Sequence, residues 1–260
     1  MRRRALFSGS WYPSDRKSLD EFVRAEGEGE RKSAVLPHSG LYYSGDLISL
    51  FFSSLSPSVT HVTIISPSHY YYLEPDTFYT ASFTSSSTPY GDVETIPLSL
   101  GVKADRALER EHGVEMFLPF VAKKGLSVSY ALLSSVSSHK AVERLAGELS
   151  EAIPEGSALI ASSDFTHYGP DYDYMPFGRK DAKKKVESWD SRAAALLSRS
   201  DTVSVFEEYN RKSTICGLAP AMVVSRLNAG LEGSAGPHYT SQDKGGGSES
   251  FVDYCTVLWS

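Results

Sequence analysis

Three segments of the chain share one design: an apolar run, then turn-forming residues, then a polar side chain able to do chemistry. They are Ala34-Val35-Leu36-Pro37-His38-Ser39-Gly40, Val62-Thr63-Ile64-Ile65-Ser66-Pro67-Ser68-His69 and Leu159-Ile160-Ala161-Ser162-Ser163-Asp164-Phe165-Thr166-His167. Short apolar runs without alternation read as strands buried on both faces. In an open parallel sheet, ligands bind outside the carboxyl ends of the strands. If the three strands run parallel, His38, His69, Asp164 and His167 meet in one crevice. Imidazole binds metals and carries protons near neutral pH. A lone His after a strand is usually a turn or surface residue. Two of them, each following a Pro at a strand end, are read as functional. His61 precedes its strand and His139 begins a helix, so both are read as ordinary exposed residues.

Two further segments carry candidates. His112 and Glu115 stand i, i+3 in Glu111-His112-Gly113-Val114-Glu115, so a helical turn places them on one face. They could bind a metal, exchange a proton or form a structural ion pair. Cys216, in Ile215-Cys216-Gly217-Leu218, falls at a helix start, where backbone N–H groups favour thiolate over thiol. His38, His69 and Cys216 then form a candidate ligand set with one open position. Imidazole and thiolate suit iron, copper or zinc, not magnesium or calcium. Asp164, His167, His112 and Glu115 are the candidates for proton transfer or ligand orientation. The spacing of the three ligands is no metal signature by itself; it gains weight through the fold.

The elements that must position these groups alternate along the chain. Strands are expected at Ser33 to Leu36, His61 to Ile65, Phe78 to Phe83, Val128 to Leu133, Ser157 to Ala161 and Cys255 to Trp259. Helices are expected at Leu19 to Glu26, Ser44 to Leu55, Lys103 to Glu111, Lys140 to Ala152, Asp181 to Ser198, Thr202 to Asn210 and Leu218 to Ala229. This order predicts one α/β domain over residues 1–260, a largely parallel central sheet with helices on both faces. The run Lys244 to Ser250 reads as a mobile loop.

Bulk properties exclude several roles. The 260 residues carry a net charge of -6, which disfavours nucleic acid or an anionic membrane as partner. The basic run Arg179 to Lys185 reads as a solvated helix face. No apolar run approaches the roughly 20 residues of a membrane span. Arg2-Arg3-Arg4 is followed by no apolar stretch of a signal peptide. With two cysteines, a reducing, cytoplasmic setting is expected.

In order along the chain, the motifs resemble those of the Memo family, also called AmmeMemoRadiSam system protein B. They are Ser8-Gly9-Ser10-Trp11-Tyr12-Pro13, Leu36-Pro37-His38-Ser39-Gly40-Leu41, Ser66-Pro67-Ser68-His69, Glu111-His112-Gly113-Val114-Glu115-Met116-Phe117-Leu118-Pro119, Ser162-Ser163-Asp164-Phe165-Thr166-His167 and Ile215-Cys216-Gly217. The resemblance implies a fold like that of class III extradiol dioxygenases. It also implies metal ligation at His38, His69 and Cys216, with copper or iron the expected metals. Leu36, Ser39 and Leu41 depart from the family's Ala-Pro-His-Ala-Gly-Tyr, and Phe117 stands where some members have His or Gln. The resemblance fixes no activity, and the three ligands are not the usual two-His, one-carboxylate iron triad.

Three functions compete. The first is a metal-dependent redox protein. The second is a module that binds a peptide or small molecule, with Trp11, Tyr12, Tyr70, Tyr71 and Tyr72 as contact surface. The third is a hydrolase or transferase with Cys216 as nucleophile and His38 or His167 as base.

Overall fold

The structure is a computed structural model that describes residues 1–247 and 249–260. Its main sheet has eight strands: β1 (Ser33–Leu36), β2 (His61–Ser66), β3 (Tyr79–Thr80), β4 (Val102–Lys103), β5 (Ser127–Leu132), β6 (Ser157–Ser162), β7 (Gly233–Ala235) and β8 (Val257–Trp259), in the order β7-β8-β1-β6-β2-β5-β3-β4. The four central strands, β1, β6, β2 and β5, are parallel. Outside them, β8 and β3 run antiparallel. The sheet is therefore mixed, which corrects the largely parallel expectation. The cause lies in the connections. The chain reaches β3 from the end of β2, and β8 from β7, its antiparallel neighbour, without a crossover helix. A strand entered from the same sheet edge must run antiparallel to the one just left.

Alternate residues of the central strands feed two cores. Ala34, Leu36, Val62, Ile64, Ala158 and Ile160 pack with α1 (Leu41–Ser53) and the later helix Leu118–Lys124. On the other face, Val35, Ile65, Leu159 and Ala161 pack with helices His139–Ala152, Ala182–Ser198 and Leu218–Leu227. These strands are covered on both faces, as their unbroken apolar runs require. Helix ends follow local chemistry: Ser138 accepts from the Ala141 amide at the start of His139–Ala152, and Ile153, before Pro154, is already extended.

Several details differ from the sequence reading. The helix expected at Leu19 to Glu26 is a single turn, Arg16–Leu19. Two small three-stranded sheets were not anticipated. One joins Arg2–Arg3 to Ser85–Thr88 and Gly91–Glu94; the other joins His167–Tyr168, Phe251–Tyr254 and Tyr239–Thr240. His61 is buried, not exposed, because its ring is held by Ser127 and Ser129 on the neighbouring strand. In the glycine-rich run Lys244 to Ser250, Ser248 lies outside the described residues. Among the described residues, no helix is long and apolar enough to cross a membrane.

Candidate functional site

The pairing register brings the strand exits to one level, with Leu36 opposite Ser162 and Ile65 opposite Ala161. Pro37 and Pro67 follow β1 and β2 directly and lack the amide that would continue the ladder. Past these ends opens a cleft of about 930 Å³, lined by His38, His69, His112, Asp164, His167 and Trp11 among others.

Three imidazoles meet on its floor. His38, His69 and His112 each present one ring nitrogen within 4.8 Å of the others. Ring centroids lie 4.9 Å apart for His38–His69, 5.1 Å for His38–His112 and 4.2 Å for His69–His112. Hydrogen bonds fix which nitrogens are available. Ser162 Oγ donates to the Gly113 carbonyl at 2.6 Å, so at its 2.6 Å contact with His38 Nδ1 it accepts. His38 therefore carries its lone pair on Nε2. His69 Nδ1 donates to Glu111 Oε1 at 2.6 Å and its amide donates to Oε2 at 2.9 Å, which again leaves Nε2 as the lone-pair nitrogen. His112 Nδ1 meets the Tyr70 hydroxyl at 3.0 Å.

Burial keeps His38 and His112 neutral. Desolvation holds His38 well below the ordinary imidazole range, and His69 and His167 add to the shift. For His112, burial and then the neighbouring His38 and His69 lower the pKa to about 3. Neutral imidazoles are the form that binds a metal. Glu111 accepts three N–H groups, two from His69 and one from Gly113 at 2.9 Å. Those donors, with the pull of His69 and His112, outweigh the opposing effect of its burial and lower its pKa.

Cys216 approaches from the helix side. Its Sγ lies 3.3 Å from His38 Nε2, the lone-pair nitrogen, and 3.5 Å from the Asp164 carbonyl. Gly217 makes this approach feasible: a Cβ there would stand 2.1 Å from the Ser162 carbonyl oxygen. The thiol is not activated by the helix start. Burial and the nearby Asp164 carboxylate push its pKa well above the usual thiol range.

The remaining candidates take distinct places. Asp164 is buried and clamps the His38 turn, accepting from the His38 amide at 2.8 Å and from Ser39 Oγ at 2.6 Å. His167 lines the cleft, with Nδ1 donating to the Thr214 carbonyl at 3.0 Å and its ring 5.1 Å from Tyr172. Glu115 turns away from the histidines. It pairs with Arg3 at 2.8 Å, both side chains fully buried, and accepts from Tyr12 Oη and from the amides of Leu6 and Phe7. It anchors the N-terminal segment that carries Trp11. Of the aromatic set, Trp11 lines the cleft and Tyr70 touches His112. Tyr12 is buried, Tyr71 packs on the core and Tyr72 points to solvent.

Sequence reasoning missed Glu111 and Ser162, which orient the two histidines. Glu111 had one local signal: it caps a one-turn helix, His112–Glu115. Ser162 had none, since its partner lies 124 residues away.

A mixed α/β sheet with a histidine cluster at its parallel strand ends defines the class of protein. The comparisons with known proteins make it specific. The family model described as Memo-like protein matches residues 3–258. The chain is 30% identical to a MEMO1 family protein of Thermococcus onnurineus, covering 100% of this chain and 99% of that protein. It is 28% identical to one of Pyrococcus furiosus, covering 99% of each. It is 27% identical to the Protein memo-1 homolog of Caenorhabditis elegans, over 85% of this chain and 70% of that protein. This chain belongs to the Memo-like protein family.

Proposed function

We propose that residues 1–260 act as one domain whose cleft holds a single iron or copper ion on His38, His69 and Cys216 and supports redox chemistry on a small molecule or peptide, in the cytoplasm. The observation that carries this reading is the convergence of the His38, His69 and His112 ring nitrogens within 4.8 Å. Neutral imidazoles with a neighbouring thiol suit iron, copper or zinc. His112 offers a third donor that competes with Cys216. When bound, such an ion supplies a Lewis acid and a one-electron redox centre.

The chain's own groups do the rest. Ser162 and Glu111 hold His38 and His69 with Nε2 available. Asp164 fixes the His38 turn. His167 Nε2 is placed to take or give a proton on a ligand in the cleft, since Nδ1–H is spent on Thr214. Trp11 and Tyr172 offer flat apolar faces. The raised Cys216 thiol argues against the hydrolase reading, which needs a ready thiolate. The likeness to class III extradiol dioxygenases remains an analogy of fold.

Metal analysis of protein purified without a polyhistidine tag tests the proposal. Iron or copper near one equivalent is expected, and H38A and H69A should each lose it. Comparison of C216S with H112A assigns the third donor. Stoichiometric metal retained by H38A overturns the ligand set.

A binding module without catalysis is the second reading, favoured by the aromatic lining. It predicts ligand binding that survives H38A and fails when Trp11 is truncated.

A further inference from the structure

Behind the cleft wall lies a second cavity of about 530 Å³, lined by Arg4, Phe7, Tyr70, Arg106, Glu109 and Arg110 among others. Its charge is opposite to that of the main cleft. Arg4 is held by Glu109 in a two-point pair, Nε to Oε1 at 2.8 Å and Nη2 to Oε2 at 3.2 Å. Arg106 and Arg110 are not used in that pair, so the cavity carries two positive charges in a chain whose net charge is -6. The two stand i, i+4 on and just past the helix Asp105–Glu109, a spacing that puts both on one side. The main cleft, by contrast, is lined by Asp164, Asp171 and Glu249, with no Lys or Arg among its described lining residues.

The floor of the side cavity is aromatic. The rings of Phe7 and Tyr70 stack with centroids 6.1 Å apart. Phe7 also meets Trp11 at 5.5 Å and His112 at 5.8 Å, and Tyr70 Oη reaches His112 Nδ1. One face of this wall thus belongs to the side cavity, and the other to the histidine cluster.

We propose that the side cavity is a binding site for a small polyanion, one with clustered oxyanions such as a diphosphate or a polycarboxylate. Guanidinium groups present paired N–H donors that match the oxygens of phosphate and carboxylate two at a time. Two such groups beside a third, already fixed by Glu109, form a positively charged recess with room for a small molecule. Phe7 and Tyr70 give the ligand's carbon skeleton an apolar face. The side chains of the main cleft offer no comparable counter-charge, whereas Arg106 and Arg110 supply one in the side cavity.

Isothermal titration of the full chain with pyrophosphate, and separately with citrate, tests this at low and at physiological salt. The H38A protein serves as a second background, because binding there does not depend on the histidine ligand set. Saturable one-to-one binding of at least one probe is expected in H38A, where no cleft ion is left for the probe to chelate, and it weakens in salt. The double variant R106A/R110A should lose at least tenfold in affinity, with its circular dichroism unchanged. Preference for pyrophosphate assigns a phosphate ligand, and preference for citrate a carboxylate one. No saturable binding of either probe at low salt overturns the proposal. So does binding undiminished in R106A/R110A, or binding lost in H38A.

Discussion

The Glu111 carboxylate grips His69 at two points, accepting its backbone N–H at one oxygen and its ring Nδ1–H at the other. The first oxygen serves the peptide and the second the ring, so the same group sets both the course of the chain and the tautomer. A carboxylate on Nδ1 also makes Nε2 a stronger donor.

Glu111→Gln keeps the shape of the side chain but replaces one acceptor oxygen with an NH2 that would face an N–H. Metal affinity should fall about 10–100-fold, the usual effect of removing a group that orients a ligand. Glu111→Ala should fall further, because the Gly113 amide also loses its acceptor. Competition with a chromogenic chelator measures both. Unchanged affinity in Glu111→Ala would show that His69 is not a ligand.

A second prediction separates Glu115 from the chemistry. The Arg3–Glu115 pair is fully buried, and Glu115 also holds Tyr12 and two amides. Removing one partner of such a pair leaves an uncompensated buried charge and costs about 3–5 kcal/mol. Glu115→Ala should lower the urea midpoint by a corresponding amount, and Arg3→Met/Glu115→Leu should recover only part of it, because the Tyr12 hydroxyl and the Leu6 and Phe7 amides still lack their acceptor. Metal content per folded molecule should stay near that of the wild type. Loss of metal in a well-folded double variant would return Glu115 to the site.

The part of this site visible in sequence was the part written locally. A short apolar run, a Pro and a His encode a buried strand, its end and a polar group beyond it. That is why His38 and His69 could be placed before the fold was known. His112 and Glu115 do fall on one helical turn, but the turn does not decide what each side chain faces. Arg3, more than a hundred residues away, draws Glu115 aside. Ser162 and Glu111 act through tertiary contacts of the same kind. The antiparallel flanks of the sheet were hidden because periodicity reports burial and not strand direction. Cys216 was located at a helix start, but the expected thiolate did not follow: its burial beside Asp164 outweighs the favourable backbone dipoles.

Acid should weaken the fold through His61 as well as through the cleft. Ser129 Oγ donates to the Ile96 carbonyl, so it accepts the Nε2–H of His61, while Nδ1 takes the Ser127 hydroxyl. The neutral ring is fully served, and burial lowers its pKa to about 4. Protons therefore bind the unfolded chain first as pH falls below about 6.5, and stability drops until the folded pKa is reached. The loss between those values is about 3 kcal/mol for this one residue. His61→Gln should flatten the pH dependence of the urea midpoint between 6.5 and 4. An unchanged slope would mean that His61 is not the titrating group.

The opposite slope is expected from Asp253. Its side chain is fully buried on the strand that lines the cleft, and Oδ1 has no hydrogen-bond partner. Burial raises its pKa to about 6. Asp190, which accepts from Thr166 N and Oγ1, is pushed well above the carboxylate range by burial and by Asp253 beside it. A raised carboxyl favours folding fully below its unfolded pKa of about 3.8, and the benefit disappears as pH rises through about 6. Asp253→Asn removes that titration. Its amide can donate to the Asp190 carboxylate, giving a partner to a position that now has none. The variant should match wild type near pH 4 and exceed it by on the order of 3 kcal/mol at pH 8. Urea midpoints at pH 4, 6 and 8 would measure the divergence. A variant less stable than wild type at pH 8 would show that the ionised pair is held by a partner that compensates both charges.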